Sequence, residues 1–139
     1  MYIKQVSVFL ENEAGKLQRA LELLGSHNID ILALSLADTT HFGVLRLIVS
    51  DADRAVQLLR DACIGASVSE VIGVGMSHEP GSLAEVLRLL KEADIGVEYA
   101  YAFIGRTEFP ACVIMRATDN DEAVRILRAN GIRLMDRVH

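Results

Sequence analysis

Tryptophan is missing from this chain, proline and cysteine occur twice each, and basic residues are outnumbered by acidic ones, 14 to 19. Each shortage excludes something. A net charge of −5, with no cluster of Lys and Arg, argues against a nucleic-acid or anionic-membrane surface. Cys63 and Cys112 lie far apart inside apolar segments and form no Cys-x-x-Cys pair. That spacing fits neither a metal nor a redox motif, and two buried free thiols in a reducing cytoplasm are expected. No apolar run approaches the length of a membrane-spanning helix, and residues 1–10 lack the long apolar core of a secretion signal. His27, His41, His78 and His139 are scattered without metal-ligand spacing. No motif sets a nucleophile beside a base, so neither an enzyme, nor a metal, nor a cofactor is expected.

What is present is apolar residue, 51% of the chain, arranged in an internal repeat. A length of 139 residues allows one ordinary domain or two very small ones, and the repeat decides for two. Setting Gly15 on Gly81, an offset of 66, matches Val6, Val8 and Leu10 with Ile72, Val74 and Met76. It also matches Leu17, Leu21 and Leu24 with Leu83, Leu87 and Leu90, and Asn28-Ile29 with Asp94-Ile95. Further on the offset is 68, with Asp51 on Asp119, Leu59 on Leu127 and Ile64 on Ile132. Two extra residues therefore enter the second copy, in a turn around Gly105 to Pro110. The units are expected at 1–69 and 70–139, joined rigidly because no Pro-, Gly- or Ser-rich linker separates them.

Each copy reads strand, helix, strand, strand, helix, strand. In the first, Ile3 to Leu10 alternates as a strand and Lys16 to His27 is an amphipathic helix with Leu17, Ala20, Leu21 and Leu24 on its stripe. Gly25 or Asn28 ends that helix. Strands follow at Ile29 to Ala37 and Gly43 to Val49, around a turn at Asp38 to His41. Ser50 or Asp51 caps a helix over Ala52 to Ala62, which turns Val56, Leu59 and Cys63 inward, and Ala66 to Ser69 closes the unit. The second copy repeats this: strand Val71 to Met76, helix Ser82 to Ala93 with Leu83, Val86, Leu87 and Leu90 on one face, strands Ile95 to Ile104 and Ala111 to Ala117. A helix capped by Thr118 or Asp119 follows, then a last strand, Ile132 to Arg137. The fold class is α+β: two ferredoxin-like βαββαβ units with antiparallel sheets and helices on one face. Leu45, Leu47 and Val49 alternate with Val44 and Ile48, so the sheet's other face is also apolar and wants a cover, from the other copy or another chain.

The chemistry sits at two matched corners, Asn12-Glu13-Ala14-Gly15-Lys16-Leu17 and His78-Glu79-Pro80-Gly81-Ser82-Leu83. In each a strand runs through a glycine turn into a helix. Free N–H groups at a helix start favour an anion, and glycine lets ligand atoms approach the backbone. A free amino acid suits such a corner: its carboxylate takes the N–H groups, and its ammonium takes carbonyls or a carboxylate. Other motifs are weaker. Gly73-Val74-Gly75 begins like a dinucleotide fingerprint, but His78 stands where the third glycine is needed. Tyr99, Tyr101 and Phe103 alternate like a base-stacking platform, yet the surroundings are not basic, and packing explains them better.

The duplicated pattern, with Glu-Pro-Gly-Ser-Leu in one copy and Glu-Ala-Gly-Lys-Leu in the other, resembles the ACT domain. Asn28-Ile29-Asp30-Ile31 and Asp94-Ile95-Gly96-Val97 match that family's second motif, so the resemblance covers nearly the whole chain as a tandem pair. The resemblance implies a non-enzymatic regulatory protein that senses an amino acid, usually where the first strand-to-helix loop of one unit faces the helix-to-strand junction of another. Carried over, one site uses Asn12, Glu13, Ala14, Gly15, Lys16 and Leu17, the other His78, Glu79, Pro80, Gly81, Ser82 and Leu83, with Asn28, Ile29, Asp94 and Ile95 facing them. The family often has Asp three residues before the glycine and Pro just before it; this chain has Asn12 and Ala14 in one copy, His78 and Pro80 in the other. Glu13, Glu79 or Asp94 would then have to receive the ammonium. A homodimer is expected from the doubly apolar sheet and from the family. The alternative is the regulatory subunit of a biosynthetic enzyme such as acetolactate synthase.

Overall fold

The computed structural model of the protein describes residues 2–11, 13–38 and 42–137. These form β1 (Ile3–Glu11), α1 (Lys16–Ser26), β2 (Ile31–Asp38), β3 (Phe42–Val49), α2 (Ala52–Asp61), β4 (Gly65–Met76), α3 (Ser82–Glu92), β5 (Val97–Ala102), β6 (Ala111–Ala117) and α4 (Asn120–Ala129). Contacts divide the chain into Lys4–Ser69 and a second unit in which Tyr2 and Ile3 join the residues from Glu70 onward. The fold is α+β, with antiparallel ladders throughout the pairings described. The turn expected at Asp38 to His41 falls largely outside the described residues, as Thr39, Thr40 and His41 do.

In the first unit the strand order is β2-β3-β1-β4, and in the second β4-β6-β5. The repeat holds down to the ladder register. Val6 pairs with Leu47 as Ile72 pairs with Met115, and Leu34 with Leu47 as Ala100 with Met115. A register shift falls at Ile31/Ala33 in one copy and Val97/Tyr99 in the other. Since the offset is 66 on β5 and 68 on β6, the two inserted residues lie in the connection between them.

Each unit buries one face of its strands under two helices. Val6, Val8 and Leu10 of β1 and Leu45, Leu47 and Val49 of β3 meet Ala20 and Leu24 of α1 and Val56 and Leu59 of α2. In the second unit Ile72, Val74, Met115 and Ala117 meet Val86, Leu89, Leu90, Val124 and Leu127. On the opposite face Ala33 and Ile48 are fully buried, whereas Phe9 is 49% exposed.

The four helices among the described residues stop in the same way. Asn28, Cys63, Asp94 and Gly131 adopt left-handed backbone, with φ of 59, 61, 57 and 76°. The N–H of the next residue, always isoleucine, returns to the carbonyl of a leucine five residues back: Ile29 to Leu24 (3.0 Å), Ile64 to Leu59 (2.8 Å), Ile95 to Leu90 (2.9 Å) and Ile132 to Leu127 (2.9 Å). This is the Schellman stop, in which an apolar contact accompanies the hydrogen bonds. The helices start in two ways. Asp51 and Asp119 cap α2 and α4 by accepting from the N–H of Arg54 and Glu122, at 3.1 Å in both. The other two helices have no side-chain cap.

Four sequence expectations need correction. The strands expected at Ala66 to Ser69 and Val71 to Met76 are one strand, the twelve-residue β4, because alternation continues through Glu70 without a turn residue. The strand expected over Ile132 to Arg137 is reduced to one bridge, Val74 with Leu134, held by Gly75 N–H to Arg133 O (2.8 Å) and Met135 N–H to Gly73 O (2.7 Å). Cys63 does not point inward; it is exposed, because it holds the left-handed position and Ile64 makes the core contact instead. On α3 the buried face is Val86, Leu89 and Leu90, while Leu83 and Leu87 are 37% and 38% exposed.

Candidate ligand-binding corners

The first corner lies between β1 and α1. Gly15 has φ 86°, a conformation that glycine adopts without steric penalty, and an added Cβ there would meet nothing within 4 Å. Glu13 N–H donates to Glu11 O (2.8 Å), Lys16 N–H to Glu13 O (3.3 Å), and Arg19 N–H to Gly15 O (3.0 Å). Among the described residues no side chain caps α1, and the N–H groups next in line, those of Leu17 and Gln18, are the orphan donors of the helix start. Glu13 and Lys16 pair loosely at 3.8 Å. Asn12 falls outside the described residues; Glu13 and Ala14 are exposed.

The second corner has the same backbone. Gly81 has φ 90°, Ser82 N–H donates to Glu79 O (3.2 Å), and Glu85 N–H to Gly81 O (3.0 Å). His78, Glu79, Pro80 and Gly81 are exposed. The Ser77 and Ser82 hydroxyls are 2.7 Å apart. Glu85 faces Arg88 at 2.5 Å, and that hydrogen bond holds its carboxyl below the usual range. Leu17, which follows the first corner, packs against the core of its unit, whereas Leu83, which follows the second, is 37% exposed.

Asn28, Ile29, Asp94 and Ile95 are not brought to these corners within a unit. They lie at the far end of an eleven-residue helix, about 16 Å away. The side chains of Ile29 and Ile95 are buried at 5% and 7% exposure in the cores, and their N–H groups are taken by Leu24 O and Leu90 O. Asn28 and Asp94 are exposed and hold the left-handed stop of α1 and α3. A site using a corner and a junction together thus needs a junction from another unit or another chain.

A groove of about 440 Å³ adjoins the first corner. Its walls include Phe9, Glu11, Lys16, Arg19, Cys63 and Gly65. Of these only Lys16 belongs to the sequence-derived set. Arg19 was readable as the i+3 neighbour of Lys16 on the helix. Cys63 and Gly65 were not, because the end of α2 reaches this place only through the tertiary fold. In the second unit the groove positions change identity: Gly75 for Phe9, Ser77 for Glu11, Ser82 for Lys16, Glu85 for Arg19, Gly131 for Cys63 and Arg133 for Gly65. A Cβ at Gly75 would lie 2.4 Å from the Phe109 ring, and the Arg133 guanidinium sits 5.0 Å from that ring's centre.

Among the described residues no group of three or more His, Cys, Asp or Glu is placed to hold a metal. No helix among them is long and apolar enough to cross a membrane.

No curated protein matches the chain. Among solved structures, the protein is similar to one from Bacteroides thetaiotaomicron, with 36% identity, TM-score 0.90, and coverage of 97% of this chain and 92% of that one. It shares its fold with the ligand-free regulatory subunit of aspartate kinase from Thermus thermophilus, at 16% identity, TM-score 0.60, and coverage of 91% and 90%. The corresponding subunit from Thermus flavus gives 15% identity, TM-score 0.58, and coverage of 91% and 90%. Residues 1–136 match the family model described as an ACT domain pair, and the chain belongs to that family.

Proposed function

We propose that this protein is a non-enzymatic regulator that binds a free amino acid at one or both glycine corners. ACT pairs are regulatory modules rather than catalytic ones, which supports the general class. The observation that carries the ligand reading is the contrast between helix starts. Two helices have their N–H groups capped by aspartate, and the two behind left-handed glycines do not. Uncapped donors at a helix start suit a carboxylate. Regulation follows if the ligand binds one arrangement of the ACT units more tightly than another. The free thiols Cys63 and Cys112 support a reducing, cytoplasmic setting. Leu34 and Leu36, 42% and 51% exposed on the edge strand β2, support a homodimer. An enzyme partner, such as the catalytic chain of acetolactate synthase, is the alternative, and no residue in the structure favours it.

The test is the denaturation midpoint measured with each common amino acid in turn. A ligand that binds only the folded state raises it. No rise with any of them would remove the reading. Gly15→Val and Gly81→Val, each measured with the best ligand, then assign the corner. Unchanged binding in both variants would show that neither glycine approaches the ligand.

A further inference from the structure

We propose that the groove of the first unit binds a small molecule with two acid groups, an acidic amino acid or a dicarboxylate, and that each chain carries one such site. This rests on the amino-acid-sensor reading and narrows it. The groove is about 440 Å³, in the range of small-metabolite sites. Two of its walls are cationic, Lys16 and Arg19, one helical turn apart on α1. Among the described residues neither side chain is held in a side-chain hydrogen bond. Lys16 reaches Glu13 only at 3.8 Å, beyond hydrogen-bond distance, and Arg19 has no side-chain partner among the described residues. One carboxylate engages the N–H groups of the first turn together with Lys16, and a second meets the Arg19 guanidinium, whose planar fork suits it. Glu11 is the one anion among these lining residues and receives an ammonium where the ligand has one. A monocarboxylate with an apolar or cationic side chain leaves Arg19 unmatched.

The second unit lacks each part of this. Ser82 and Glu85 replace the cations, and Glu85 is already held by Arg88 at 2.5 Å. The added cation there, Arg133, is occupied: it lies over the Phe109 ring and pairs with Glu108 at 3.2 Å. Phe109 packs directly on the backbone of Gly75, the position that Phe9 holds in the first unit. Among the described residues at these matched positions, a diacid at the second corner would meet the Glu85 carboxylate and no unpaired Lys or Arg.

The experiment is isothermal titration of the intact protein with L-aspartate, L-glutamate and succinate, beside L-asparagine and L-lysine. The expected result is binding of a diacid with one site per chain, and weaker or absent binding of the other two. Lys16→Ser combined with Arg19→Glu gives the first groove the composition of the second. It should weaken diacid binding by at least about ten-fold while leaving the ligand-free denaturation midpoint unchanged, since both side chains are on the surface. Glu11→Gln separates the sources: it weakens the amino diacids and spares succinate. Tighter binding of asparagine or lysine, two sites per chain, or full affinity in the double variant would overturn the diacid site while leaving the sensor reading in place. No binding of any amino acid or dicarboxylate would remove both.

Discussion

At the end of β1, Phe9 stands half exposed beside Gly65; at the matching place on β4 the residue is Gly75, and Phe109 lies against it. The two units share ladder register, left-handed stops and helix caps, yet their side-chain chemistry diverges where the strands end. The same divergence runs along the edge strands. Small residues, Ala33 and Ser35, face away from the helices on β2, with Leu34 and Leu36 toward them. On β5 the sizes exchange: Tyr99 and Tyr101 face away, their rings stacked at 6.5 Å, and Ala100 and Ala102 face the helices. Backbone hydrogen bonding and apolar periodicity hold a duplicated fold in place, and the surface positions are left free to specialise. Phe109, which lies against Gly75, belongs to the β5–β6 connection.

The sharpest way to break the comparison is at Gly75. Gly75→Val forces side-chain atoms into the Phe109 ring and should destabilise the protein by about 3 kcal/mol, measured by denaturant unfolding. Combining it with Phe109→Ala should lose less than the sum of the two single changes, because both act on one contact. If Gly75→Val is harmless, Phe109 does not pack there.

The helix stops give a reciprocal pair. Cys63 and Gly131 hold the same left-handed position in the two units. Cys63→Gly should raise stability by about 1 kcal/mol, reduced by the extra freedom glycine gives the unfolded chain, and Gly131→Ala should lower it by about 1 kcal/mol. Equal signs would mean that the two stops are not equivalent. The helix caps should be equivalent: Asp51→Ala and Asp119→Ala are each expected to cost about 1 kcal/mol, and a large difference between them would break the symmetry of the repeat.

The smallest effect concerns the thiols. Burial pushes the Cys112 thiol up to about 11. Its folded pKa is raised, so this group's contribution is fully present below its ordinary value and is lost as pH climbs toward 11. Midpoints recorded up the alkaline range should fall less steeply for Cys112→Ala than for the parent. An aromatic disulfide reagent should label exposed Cys63 in the folded protein and spare Cys112. Equal labelling rates would contradict that burial.

Much of the fold was readable because it is written twice. Period-3.6 stripes placed α1, α2 and α3 to within a residue or two, the cap marked the start of α4, and one glycine alignment located both corners. The caps were readable down to a pair each, Ser50 or Asp51 and Thr118 or Asp119, and in both the aspartate is the one that accepts from the helix. The misses have one cause, which is that side-chain direction depends on context beyond the local window. Cys63 continued the apolar stripe of α2 and was expected inside, but the Schellman stop turns it outward. Leu83 and Leu87 looked buried by spacing, and the actual packing angle of α3 favours Leu89. The final strand carried strand-like residues but obtained a single bridging partner.

Local chemistry thus decided the elements of this protein, their order and their duplication, because helix periodicity, caps and left-handed turns depend on neighbours a few residues away. Tertiary structure alone decided that the end of α2 would line one groove with Lys16 and Arg19 at the start of α1, and that Phe109 would settle on Gly75. Those pairs are dozens of residues apart in the chain, and only the packing of helices on a registered sheet brings them within reach.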